Sequence, residues 1–436
     1  MKNLKKLLLL GLVLITITSC QHLDDFTGSG DGNQEQVSPA EVLEPNKQYE
    51  LPYETLKVIN QNVEVRNGGY GSAATAHPTN EAEFYAITDR GPNTGFLEGK
   101  KFPVSEYTPR IGHFKVTKKG EVVLLKTILL KDPTGKLISG LPNPEGKGAT
   151  GEIPYDASGN KLNFDDFGLD SEGLVALKDG TFWVSDEYGP HIVHYSVNGV
   201  QIERISPIGV NDGNGGRKLP AVYAKRRANR GMEGLAITPD EKVLYGIMQS
   251  TMYNPVNIKN NITRIVAFNL ETGKTKEYLY KQEKDNLSNS EIVALSNTEF
   301  LVVERDGKFS GAGEAQKHIY KINISDATDV SSDDPKAEFG RMIGDKIIEE
   351  SSWEELTAEG IKPVSKTLVV DLVQVAGYPH DKLEGIWLID SNTLGCINDD
   401  DFAVSDIDGD GTIDQKILPG TEEVDASSLY LIKANF

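Results

Sequence analysis

Short apolar runs alternate with polar turns along most of the chain. Residues 171–190, "SEGLVALKDGTFWVSDEYGP", set an apolar strand, a turn and a second apolar strand in sequence, with Glu172 at the first strand's start and Asp186 and Glu187 at the second strand's end. The same pattern recurs in "MEGLAITPDEKVLYGIMQ" (232–249), "SEIVALSNTEFLVVERD" (290–306) and "LEGIWLIDSNTLGCINDD" (383–400), with a weaker copy in "SAATAHPTNEAEFYAITDRGPN" (72–93). The turns "KDG" and "TPDE" carry residues that turn geometry favours. Further strand-like segments follow most copies, such as "HIVHYSVNGVQIERISPI" and "TRIVAFNLETGKTKEYLY".

Repeated multi-stranded units, spaced about sixty and once about ninety residues apart, predict an all-β chain folded as a β-propeller. Five repeats can be counted, and a sixth blade has room in 133–167 or in the long interval. That interval holds "KAEFGRMIGDKIIEESSWEELTAEGIK" (336–362), which predicts a short helical insertion. "LKVINQNVEV" near the start and "SSLYLIKANF" at the end are candidates to pair and close the ring. An open β-sandwich is the alternative, disfavoured because the copies recur along the whole chain.

An antiparallel hairpin returns the end of its second strand to the start of its first. Glu172 is thus expected near Asp186, Glu233 near Gln249, Glu291 near Glu304, Glu384 near Asp399, and Ser72 near Asp89. In a propeller these ends share one face, so Glu172, Glu233, Glu291, Glu384, Asp89, Asp186, Glu304 and Asp399 are expected around one mouth of the central channel. Crowded carboxylates raise one another's pKa or bind a cation. Hard oxygen ligands suit Ca²⁺, with Mg²⁺ or Mn²⁺ as alternatives. The other reading has each Glu binding backbone N–H groups of the next blade.

The N-terminus, "MKNLKKLLLLGLVLITITSC", has basic Lys2, Lys5 and Lys6 before a short apolar run, the layout of a secretory signal rather than a membrane span. Ile17-Thr18-Ser19-Cys20 is similar to a bacterial lipobox, so Cys20 is the expected lipidation site. The predicted organisation is a signal over 1–19, a flexible tether over 20–46 and one propeller domain over 47–436. This makes an exported lipoprotein of the cell envelope, at the outer membrane, touching the bilayer only through lipid on Cys20. With Cys20 lipidated, Cys396 has no partner, and stability must come from the core. The formal charge of −20 argues against nucleic acid as a partner.

"DRGPN" (89–93), "SEGLV…VSDEYGP" (171–190), "NRGMEGLA" (229–236) and "LEGIW…INDDDF" (383–402) resemble motifs of phytase-like proteins, the "esterase-like activity of phytase" family. The resemblance implies a secreted or lipid-anchored protein with a propeller-type fold and phosphoester-hydrolase activity. Where other members tend to carry Asn-Asp-Asn-Asp-Phe, this chain has Asn398-Asp399-Asp400-Asp401-Phe402, which keeps the acid character.

A phosphoester is anionic, so an acidic mouth needs metal to reverse its sign and cationic side chains to hold phosphate oxygens. Arg90, Arg230 and Arg305 each lie beside a repeat acid, free either to bind phosphate or to pair with those acids. His191 and His380 flank the mouth and are candidate proton donors. No G-x-S-x-G elbow or Walker-type phosphate loop occurs. "DIDGDGTID" (406–414) spaces Asp406, Asp408 and Asp410 like the first half of an EF-hand, but Ile417 stands where the closing ligand belongs. The loop is either a secondary Ca²⁺ site or a solvated acidic turn. The leading expectation is a metal-dependent phosphatase or phosphodiesterase acting on a small anionic substrate. A lactonase or other ester hydrolase is the enzymatic alternative, and a non-catalytic, Ca²⁺-stiffened binding propeller is the other class.

Overall fold

The computed structural model describes residues 37–436 apart from 61, 212–215, 256–257 and 312. The expected signal, most of the expected tether and the expected lipidation site Cys20 lie outside the described residues. The fold is nearly all-β and contains five sheets with four antiparallel strands each in hydrogen-bonded succession. The first runs Ala73–Ala76, Glu83–Ile87, Arg110–Val116 and Val122–Leu129. The second runs Ser171–Ala176, Phe182–Asp186, Ile192–Tyr195 and Gln201–Pro207, with Lys218–Leu219 added in parallel. The third runs Met232–Ile237, Val243–Met248, Ile262–Asn269 and Thr275–Lys281. The fourth joins Ser288–Ala294, Glu299–Arg305, Lys317–Asn323 and Ser365–Asp371. The fifth joins Gly385–Asp390, Thr393–Ile397, Ser428–Lys433 and Gln48–Glu50.

The first strands of these sheets neighbour one another in a cycle, first to second to third to fourth to fifth and back to first. Apolar side chains fill the space between each consecutive pair. Ile87 and Ile111 meet Leu174 and Val184; Trp183 and Ile205 meet Leu235 and Val266; Ile247 and Ile265 meet Ile292 and Val302. Val303 and Ile319 meet Ile386 and Cys396, and Trp387 and Leu431 meet Phe84 and Phe114. Each sheet is thus covered on both faces, which explains continuous apolar runs where a half-exposed strand would alternate. Cys396 is a free, buried thiol within this packing.

Close approach of the first strands depends on glycine at two points. A Cβ on Gly173 would lie 2.7 Å from Leu235 N, and one on Gly234 would lie 2.6 Å from Ile292 N. This accounts for the Glu-Gly pairs at 172–173 and 233–234.

The structure departs from the sequence reading in three places. The strand pairing with Ser428–Lys433 is Gln48–Glu50, while Thr55–Ile59 and Val63–Arg66 form their own hairpin. Residues 336–362 are only partly helical: a short hairpin, Met342–Ile343 with Lys346–Ile347, precedes a 3-10 turn and one short helix, Trp353–Ala358. Among the described residues, 133–167 supply no four-stranded sheet; Ile153–Asp156 pairs in parallel with Gly99–Phe102. Within the segment expected as tether, Pro39–Val42 is helical and Leu43 is buried. No described helix is long and apolar enough to cross a membrane.

Candidate functional site

At the end of the channel where the first strands begin lies a cavity of about 440 Å³. Glu172, Glu233 and Glu384 line it, together with Asp89, Asp170 and Glu187. The ladder register explains how these side chains reach it. In the second sheet Ser171 faces Asp186 and Gly173 faces Ser185, leaving Glu172 as an extra residue in a bulge. In the third, Met232 faces Met248 and Gly234 faces Ile247, so Glu233 is bulged in the same way. A bulge re-aims the extra side chain, and both glutamates turn into the cavity.

The same register relocates three of the expected mouth residues. Asp186 is a ladder residue, and its carboxylate accepts the backbone N–H groups of Asp170 (2.9 Å), Gly189 (2.8 Å) and His191 (3.3 Å). It ties down the hairpin end, and the next residue, Glu187, enters the cavity instead. Glu304 faces Asn289 and is consumed by Tyr280 OH and Lys366 Nζ, each at 2.8 Å, while Arg305 takes the cavity position. In that sheet the bulge falls on Ser290, so Glu291 occupies the place of Gly173 and Gly234. Its carboxylate accepts Ile292 N–H at 2.9 Å and Leu235 N–H at 3.3 Å, deeper in the channel. Glu291 therefore bonds the neighbouring sheet's backbone and does not join the mouth.

Asp170, Glu172 and Glu187 converge, each offering an oxygen within 4.8 Å of the others, and all three are buried. Among the described residues Glu172 has no hydrogen-bonding partner. Gln249 Nε2 donates to Glu233 Oε1 and, at 3.4 Å, to Glu187 Oε1, while Glu233 Oε2 is buried without a partner. Burial pushes the Glu172 carboxyl well above the usual carboxylate range, reinforced by Glu233 and Asp170. Glu187 is raised by burial and by Glu233, and Asp89 by burial and by Asp399. Burial likewise lifts Glu384 to about 8, against the lowering pull of Lys382 and Arg305. Neither Glu172 nor Glu187 is paired with a cation among the described residues, and a divalent cation at the trio would compensate them.

Most of the cavity's cations are already committed. Arg90 Nε lies 3.3 Å from Asp170 and Arg90 Nη1 lies 3.1 Å from Glu152, whose other oxygen accepts Asn229 Nδ2 at 2.7 Å. Arg305 donates to Ser290 Oγ at 2.9 Å and pairs with Glu384. Lys382 bridges Asp399 and Asp401, at 2.6 Å to each, which leaves Asp399 beneath the cavity wall. Two lining cations differ. Among the described residues, the Arg230 guanidinium donates only to Ser288 Oγ, at 3.3 Å, and Lys100 has no carboxylate partner. Burial depresses the pKa of both, helped by Arg227 for Arg230 and by Arg90 for Lys100.

The two histidines expected at the mouth are packed inside the sheets. His191 bonds Ser206 Oγ at 2.8 Å and Asn143 Oδ1 at 3.2 Å, and burial holds its pKa well below the usual value. His380 lies between Asp425 Oδ1 at 2.5 Å and Tyr430 OH at 2.8 Å. Neither lines the cavity, because each ring is drawn to one buried polar group on a strand, Ser206 or Tyr430, and one on a connecting segment, Asn143 or Asp425. In the 406–414 loop, Asp406 lines the rim but spends its oxygens on the Asp410 and Gly411 N–H groups, both at 3.1 Å. Asp410 caps Thr412 N–H at 2.8 Å, and among the described residues Asp406, Asp408 and Asp410 form no converging ligand set.

The fold and the site together define a nearly all-β protein of propeller type, with a buried carboxylate cluster and two uncommitted cations at one end of its axis. The chain belongs to the phytase-like family, described as esterase-like activity of phytase, whose pattern matches residues 66–402. It is 27% identical over 378 residues to an uncharacterized secreted protein of Arthroderma benhamiae, spanning 70% of this chain and 71% of that one. Solved structures with similar outlines include PorZ of Porphyromonas gingivalis, at 10% identity and TM-score 0.35, covering 87% of this chain and 38% of that chain. The PQQ-bound aldose sugar dehydrogenase of Streptomyces coelicolor aligns at 12% identity and TM-score 0.33, over 89% of this chain and 99% of its own. Likenesses this distant leave the fold resting on the strand pairing itself.

Proposed function

We propose that the protein is an exported, metal-dependent phosphoester hydrolase working at one end of a five-bladed propeller, with Gln48–Glu50 as the outer strand that completes the last blade. The carrying observation is the buried trio Asp170, Glu172 and Glu187, with Glu172 unpartnered among the described residues. The all-oxygen set fits a hard cation, Ca²⁺ first, with Mg²⁺ or Mn²⁺ as alternatives. Such an ion would polarise phosphoryl oxygens and make water a better nucleophile. The chain's own residues do the rest. Arg230 and Lys100 are the cations free to hold the ester's anionic oxygens, while Arg90 and Arg305 keep the surrounding acids in place. Glu233, whose carboxyl burial raises above the usual range against the lowering pull of Gln249 and Arg305, would be the group to give a proton to the leaving oxygen. Export accords with the secreted relative and with the leader-like N-terminus, and lipid on Cys20 would hold the domain at the cell envelope.

The test uses the chain from residue 21 onward, which contains the compact unit Gln36–Phe436. Chelator-stripped protein is assayed on aryl phosphate mono- and diesters, with Ca²⁺, Mg²⁺ or Mn²⁺ restored singly. The expected result is turnover restored by one ion and reduced by about 10²-fold or more in Glu172→Gln with the fold retained. Turnover that ignores the chelator would sink the metal reading. The family description favours one second reading, hydrolysis of carboxyl esters or lactones, and turnover of those alone would select it. Binding without turnover, together with a metal-dependent melting temperature, would leave a non-catalytic propeller.

A further inference from the structure

The cross-strand register of the first sheet gathers a second set of ligand-type side chains, at the strand ends away from the acidic cavity. His77 directly follows Ala73–Ala76 and donates its N–H to Glu83 O at 3.1 Å. In the next ladder Glu83 faces Lys115 and Tyr85 faces His113. Residues opposite one another or two apart along a strand share a face, so three adjacent strands present His77, Glu83 and His113 together. The two imidazole rings stack at 5.4 Å with 19° between their planes. A nitrogen from each and an oxygen of Glu83 lie within 4.8 Å of one another, and none of the three side chains is fully buried.

We propose that His77, Glu83 and His113 form a second metal site, suited to a transition cation such as Zn²⁺ or Co²⁺ rather than to Ca²⁺. Two imidazole nitrogens and one carboxylate oxygen are the donor set of such ions, whereas hard cations prefer oxygen alone. Ligand atoms about 2.1 Å from a tetrahedral ion sit about 3.4 Å apart. The 2.8 Å contact between His113 Nε2 and Glu83 Oε2 opens slightly as the ion replaces the proton they share. Glu83 is already oriented for this, because Oε1 is held by Asn80 Nδ2 at 2.7 Å and Lys115 Nζ at 3.3 Å, leaving Oε2 to His113. His77 Nδ1 accepts Thr79 N–H at 3.2 Å, and that N–H, on an exposed residue, passes to water when the ring turns to the ion. His77 also borders a cleft of about 70 Å³ toward the second sheet, through which solvent or a fourth ligand reaches the site. The ion ties together three strands of one sheet, and its loading is independent of the mouth.

The test uses tag-free protein from residue 21 onward, stripped of metal, with Co²⁺ as the spectroscopic probe. Wild type and Glu172→Gln should both develop visible d–d absorption, which Zn²⁺ bleaches stoichiometrically and a hundredfold excess of Ca²⁺ leaves intact. His113→Gln and His77→Gln should each weaken Co²⁺ binding at least tenfold. No spectrum in wild type, a spectrum that survives His113→Gln, or one lost in Glu172→Gln would each overturn the proposal. Where a histidine variant fails to fold, side-chain ¹⁵N NMR of wild type decides. Zn²⁺ must shift the ring nitrogens of His77 and His113 and leave those of His194 and His318 unmoved; unshifted His77 and His113 signals overturn it.

Discussion

Glu172→Gln should stabilise the metal-free protein, by an amount that grows with pH. Glu172 ionises near 4.5 when unfolded, and in the folded chain burial and the surrounding acids raise it well above that value. The folded state therefore binds more protons through this window, so wild-type stability falls as pH rises above the unfolded value. The penalty is small near the unfolded value and grows by up to about 1.4 kcal/mol for each pH unit over which the folded carboxyl keeps a proton that the unfolded one has lost. Glutamine has the same shape without the ionisation, and among the described residues no hydrogen bond to the Glu172 side chain is lost with it. The variant should then gain on wild type as pH rises from 5 to 8, and gain nothing below the unfolded value. At roughly 0.8 kcal/mol per kelvin for about 400 residues, each kcal/mol gained is a little over 1 °C in melting temperature. Differential scanning calorimetry in chelator at the two pH values measures it directly. Ca²⁺ at a hundred times its dissociation constant should restore about 2.7 kcal/mol to wild type, and far less to the variant. A variant less stable than wild type at pH 8 in chelator would refute the reasoning, because the Glu172 carboxylate would then be making a structural bond.

Arg90 and Arg230 should separate structure from substrate binding. Arg90→Ala leaves Glu152 and Asp170 without their cation and should cost about 3–5 kcal/mol by urea unfolding. Among the described residues Arg230→Ala breaks only the side-chain bond to Ser288, so it should cost about 1 kcal/mol while raising KM for anionic esters about tenfold; equal stability losses in the two variants would contradict the assignment. Glu291→Gln keeps an acceptor for Leu235 and Ile292 N–H and should stay within about 0.5 kcal/mol of wild type, whereas Glu291→Ala should cost about 1–3 kcal/mol. A strongly destabilised glutamine variant would show that the carboxylate is needed ionised. Glu384, lifted by burial to about 8, should titrate near that pH in metal-free protein by carboxyl ¹³C NMR, and a midpoint in the ordinary carboxylate range would remove the crowded-acid picture of the mouth.

The hairpins are legible in the sequence because both faces of each strand are buried, which leaves unbroken apolar runs between turn residues. Which acids meet is less legible, because it depends on single-residue bulges that reverse the parity of a strand. Asp186 and Glu187 are adjacent acids at one hairpin end, and only the bulge at Glu172 decides that Glu187 faces the cavity while Asp186 turns to the backbone. Glu291 carries a signal that does separate it. Glu172, Glu233 and Glu384 each precede a glycine, but Glu291 precedes Ile292. In two of those cases the glycine lets the next first strand come within contact of its own backbone, and Glu291 itself stands where that glycine would be. A glutamate without the following glycine therefore marks a shifted register. Lys100 and Asn229 reach the cavity, and Glu152 supports Asn229 from behind it, all from connecting segments outside the five repeats, where no periodicity points to them. Asp170 is nearer to legible, since it adjoins the second sheet's first strand and an acid just before a bulged glutamate is brought to the same mouth. The chemistry of this site is thus written in the residues flanking each Glu-Gly pair more than in the glutamates themselves, since those neighbours decide which carboxylates are left without a partner.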